Sequence, residues 1–169
     1  MSYYVRKINR AKWNEAENLK NEEDINKLNA DYLSTCLKTQ QGEISLWKIE
    51  KKEELDDVVV AITSVGEHIS KVDVVLLDEN DLDKISIKPI KQPEGNSKIK
   101  DKHHKVENLN YEKIGKIAKI ILHTIKNKND NVKRISVPNV KRILLNAIEK
   151  GELKLPKESN LLKELGISA

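Results

Sequence analysis

The side chains here with the most chemistry in them are four histidines, one cysteine and a run of carboxylates. His103 and His104 are adjacent, while His68 and His123 stand alone. Adjacent side chains diverge on a helix or strand, and no second His or Cys pair follows at ligand spacing, so no zinc site is expected. Asp78-Glu79-Asn80-Asp81-Leu82-Asp83 is denser in acids. It fails as a calcium loop, because Leu82 takes the fifth position and Asp83 the turn position that needs Gly. Asp78, Asp81 and Asp83 are left as weak magnesium candidates, beside the plainer reading of a solvated acidic turn. Asp73, Glu50 and Lys51 could be recruited to metal-dependent nuclease chemistry, but 27 acids and 31 Lys and Arg in 169 residues supply such triples by chance. Six glycines at 42, 66, 95, 115, 151 and 166 are too dispersed for a phosphate loop. Ser and His lack a nucleophile-elbow setting. No cofactor is implied, and no enzyme signature emerges.

The elements that must position these groups divide by charge. Residues 1–83 carry 11 basic and 18 acidic side chains, a net of −7, whereas residues 84–150 carry 17 and 6, a net of +11. The change coincides with Ser86 to Ser97, where Pro89, Pro93 and Gly95 interrupt any regular period. This predicts an acidic domain over 1–84, a linker or long loop over 85–107 and a basic helical subdomain over 108–169.

In the acidic part, Tyr3–Ile8 reads as a strand, followed by a short polar helix around 11–19. Tyr32, Leu33, Cys36 and Leu37 share one helical face, which makes Cys36 a core thiol in preference to a nucleophile. Glu43–Glu50 alternates as a second strand, with Ile44, Leu46 and Lys48 opposed to Ser45, Trp47 and Ile49. Acids at 53–57 open a helix running to about His68, and Val72–Leu77 is an apolar run suited to a strand covered on both faces. Strand, helix, strand over 43–77 predicts a parallel βαβ unit, so the fold class is α/β or α+β with a small N-terminal sheet.

The basic part changes period. Ile114, Ile117, Ala118, Ile121, Leu122 and Ile125 form one stripe after Asn110 as N-cap. Val140, Ile143, Leu144, Ala147 and Ile148 form another between Pro138 and Gly151. A helical hairpin, each stripe covering the other, is expected, closed by a short helix over 159–165. Lys133, Arg134, Lys141 and Arg142 could present four cations to phosphates, although the connection is too long for a helix-turn-helix and no aromatic residues interleave them. A solvated helical hairpin is the competing reading.

Tyr3 to Trp13, with Glu43 to Ile49 following a helix, resembles the opening of small uncharacterised proteins of bacterial mobile elements and defence loci. The resemblance covers mainly the first half, implies an accessory or regulatory role in a bacterial operon, and carries no catalytic residues with it. Arg6, Arg10, Trp13 and Trp47 are interface candidates, since Trp and Arg are enriched at binding hot spots. Alternatively the Trp residues fill a core that has no Phe. No stretch approaches the roughly 20 apolar residues of a membrane span. The first residues lack a signal peptide's apolar region, and a single Cys forms no internal disulfide. The expectation is a cytoplasmic, non-enzymatic protein that binds a protein partner, with a nucleic-acid-binding module as the alternative and a metal-dependent enzyme third; the oligomeric state stays open.

Overall fold

Period-two alternation sends neighbouring side chains of one strand into different layers. A computed structural model describes residues 2–13, 19, 36–37, 39, 41–94 and 98–167. In strand β1 (Tyr3–Ile8), Tyr4 and Ile8 enter one core and Val5 the other. In β2 (Ile44–Ile49), Ile44 and Leu46 join the first core while Trp47 and Ile49 join the second, as the alternation predicts. The apolar run becomes β3 (Val72–Asp78), buried along its length, with Val75 and Leu77 on one side and Val72, Val74 and Leu76 on the other.

Three short strands complete the sheet: β4 (Ile90–Lys91), β5 (His103–Val106) and β6 (Val132–Ile135). The order is β4-β5-β2-β1-β3-β6, and every pair is antiparallel. This corrects the parallel βαβ expectation. β2 and β3 do run in the same direction, joined through helix α1 (Leu55–Ser64), but β1 lies between them and bonds antiparallel to both. With Tyr4, Val5 and Ile8 facing two cores, β1 has the apolar pattern of a central strand.

The remaining helices are α2 (Glu79–Lys84), α3 (Tyr111–Asn127), α4 (Val137–Glu149) and α5 (Asn160–Leu165). α3 lays Ile117, Ala118, Ile121 and Leu122 on the first face of the sheet, where Leu82 of α2 joins them. α1 and α4 cover the second face together, with Leu153, just after α4, and Leu161 of α5 behind them. The expected pairing of the two basic helices is therefore overturned. Residues 132–135, between them, form β6 on the edge of β3, which sends α3 and α4 to opposite faces.

The segment 85–107, expected as linker or long loop, contributes β4 and β5, and β5 bonds β2 from Ile44↔Val106 to Trp47↔His103. Both cores draw side chains from either side of that segment. α1 stops at Ser64, four residues before His68. Gly42 at φ 74° serves the turn into β2 and Gly151 at φ 65° closes α4, both in the left-handed region that a Cβ disfavours. The helix expected around 11–19 is described only as a 3-10 turn at Arg10–Trp13, and Tyr32 and Leu33 lie outside the described residues.

Candidate functional site: a cleft at a fork in the sheet

β1 and β2 pair at Tyr3↔Ile49, Tyr4↔Lys48 and Val5↔Trp47, and then part. β1 continues along β3 to Ile8↔Asp73, while β2 continues along β5 to Ile44↔Val106. Arg6 stands in the opening. Its guanidinium donates to Ser45 O (2.8 Å) and twice to Cys36 O (3.2 and 2.9 Å), giving those carbonyls a donor where the ladder has stopped. Burial lowers the Arg6 pKa, though a guanidinium stays charged, and among the described residues no carboxylate pairs with it. Cys36 completes the junction from within: its sulfur accepts from the Asn9 N–H (3.1 Å) and from Trp13 Nε1 (3.2 Å).

Beside the fork opens a cleft of about 320 Å³. Trp47 and His103, cross-strand partners on β2 and β5, form an edge-to-face pair at 4.8 Å and supply its aromatic floor. Ala61 and Ile62 of α1, with Val65 just beyond, make an aliphatic wall; Arg6, Lys7, Ser45 and Glu94 add polar groups. His103 Nδ1 lies 2.6 Å from Gln92 O; since a carbonyl only accepts, Nδ1 carries the hydrogen of this bond. Glu94 approaches Lys105 (3.3 Å), which also meets Glu43 (3.4 Å). Burial opposes the Lys105 charge, but the two carboxylates outweigh it and its pKa rises.

The other candidates are placed as follows. Trp13 is 1% exposed in the first core and Trp47 8% in the second, so both indoles fill cores; Trp47 in addition faces the cleft. The Arg10 N–H donates to Asp73. Lys133 and Arg134, successive on β6, project to opposite faces of the sheet. Arg134 forms a two-pronged pair with Asp73 (2.7 and 3.0 Å), and Lys141 donates to Glu164 O at the end of α5 (2.7 Å). Lys133 and Arg142 are exposed. The four cations thus do not form one surface.

The acidic turn is neutralised by lysines. Lys128 bridges Asp78 (2.9 Å) and Asp81 (2.7 Å), Lys84 holds Asp81 (2.8 Å), and Asp83 is exposed. Burial alone would raise the Asp81 pKa, but hydrogen bonds from Lys128 and Lys84 bring it down. Nearby, Glu79 accepts from the Ser2 hydroxyl and from Lys48 (2.9 Å), which lowers its pKa. An ammonium stands where a cation between Asp78 and Asp81 would sit, and among the described residues no three His, Cys, Asp or Glu side chains are grouped to hold a metal ion.

The cleft is not legible in the sequence. Its floor needs Trp47 and His103 together, 56 positions apart in the chain, and neither residue predicts the other. Comparison with protein-family models, with curated proteins and with solved structures finds no match for the chain. The described residues define an α/β protein with helices on both faces of an antiparallel sheet, forked beside an aromatic-floored cleft. No described helix is long and apolar enough to cross a membrane.

Proposed function

We propose that the protein works by contact with a protein partner, in an accessory or regulatory role, and not by transforming a substrate. The observation that carries this reading is exposed apolar surface at and near the cleft. Val65, 67% exposed, stands on its α1 side. Ile90, 53% exposed, lies opposite Lys105, which lies opposite Ser45, so Ile90 is two strands out on the same face. Single exposed aliphatics are ordinary on protein surfaces. An exposed aliphatic lining a concave aromatic floor among polar groups, with a second farther out on the same face, has the anatomy of an anchor pocket with a polar rim. The resemblance of the first half to proteins of bacterial mobile elements and defence loci adds a setting in which the partner is encoded nearby.

The test is capture from the native host at low and high salt, with Val65→Glu and Ile90→Glu as surface variants. Capture of one protein that persists at high salt and is lost in Val65→Glu supports the reading; undiminished capture by both variants overturns it. Nucleic acid is the alternative, supported by the exposed Lys133 and Arg142. Its mark would be binding that falls steeply with salt and ignores the Val65 change.

A further inference from the structure

We propose that the cleft at the fork is a binding site for a small apolar carboxylate, its charged end held by Arg6 with the Lys7 charge nearby, and its body by Trp47, Ile62 and Val65. This goes beyond the partner reading, which depends on the rim.

The charge argument begins with Arg6. It is half-buried, commits three hydrogen bonds to two carbonyl oxygens, and has no carboxylate partner among the described residues. A guanidinium has five N–H donors, so donor capacity remains, and a partly desolvated cation gains from a nearby anion. Lys7, exposed on the other side of the same strand, adds a second positive charge to the lining. The one acid in that lining, Glu94, is already engaged by Lys105. With Arg6 and Lys7 in the lining, an anion is favoured here over a cation.

The walls select the rest of the ligand. Indole, imidazole and three aliphatic side chains offer contact to an apolar body that inorganic phosphate or sulfate does not have. The volume, about 320 Å³, is at the small end of ligand pockets, which run from about 300 to 1,000 Å³, and suits a compact ring system or a short branched chain. A free acid and the last residue of a peptide offer this chemistry alike.

The experiment titrates isotope-labelled full-length protein with naphthalene carboxylate and with the corresponding carboxamide, which keeps the shape and removes the charge. Both should move the Trp47 indole, Ser45 and Val65 signals, with the acid binding about tenfold tighter through its charge-assisted hydrogen bonds. Lys7→Gln should narrow that gap and Arg6→Gln should close it. Because Arg6 also ties the strands, Lys7→Gln and the acid-against-amide comparison decide the matter if Arg6→Gln does not fold. Equal affinities, movement confined to other signals, or none at millimolar ligand would overturn the site. A short peptide ending in a free Phe carboxylate, run against its amide, separates the sources: acid-selective binding at the same signals assigns the site to chain termini, and its absence beside naphthalene carboxylate binding assigns it to free acids.

Discussion

Asp73 is 4% exposed on a strand whose other buried side chains, Asp78 apart, are apolar, and its ionised state depends chiefly on a residue 61 positions away. Burial pushes its pKa up; the hydrogen bonds from Arg134 and the Arg10 N–H push it down further, and the net shift is downward. A carboxyl whose folded pKa is depressed adds stability at pH values above its unfolded pKa, about 3.9, and that contribution is lost as pH falls through the folded value. Asp73→Asn should therefore cost about 1–3 kcal/mol near neutral pH, toward the lower end because Arg134 stays solvated on its outer side. Urea unfolding of both proteins against pH would show the difference closing below about pH 4; a difference constant down to acid pH would mean that the pair does not act through charge. The sequence showed both residues, but tied Asp73 to Glu50 and Lys51 and gave Arg134 to a phosphate. Side-chain type is local information and partnership is not.

At the scale of elements, α3 was legible almost in full, because an apolar stripe with its own cap is written in contiguous residues. Asn110 accepts from the Lys113 N–H at 2.9 Å, as an N-cap should, and Asn110→Ala should cost about 1 kcal/mol. Gly115 sits inside this helix with nothing within 4 Å of the position its Cβ would occupy. Gly115→Ala should thus raise stability by about 0.5–1 kcal/mol, read as a higher urea midpoint at unchanged slope; a lower midpoint would mean that the open space is needed. β5 and β6 are not legible in the sequence, because four residues such as His-His-Lys-Val or Val-Lys-Arg-Ile are too few to display a period. The prolines at 89 and 93, which interrupt any period in the sequence, bracket the two-residue edge strand β4 in the fold, where lost N–H donors disfavour pairing with another chain.

Across the whole molecule, each layer holds one indole, Trp13 against α3 and Trp47 beneath α1 and α4. The contrast of charge along the chain does not separate these layers, since acidic and basic stretches contribute side chains to both. Two single-tryptophan proteins, Trp13→Phe and Trp47→Phe, should each unfold in one transition whose fluorescence midpoint coincides with that of its own far-UV signal. Midpoints that separate within either protein would restore two modules unfolding independently. The sequence by itself determined the main strands and helices, the alternation of β2, the apolar stripes of α3 and α4 and the burial of β3, because periodicity acts over a few residues. Only the tertiary structure decided that β1 lies between β2 and β3, that β6 parts α3 from α4, and that the strands fork around Arg6 to open a cleft, because strand pairing is settled by hydrogen bonds and packing between residues far apart in the chain.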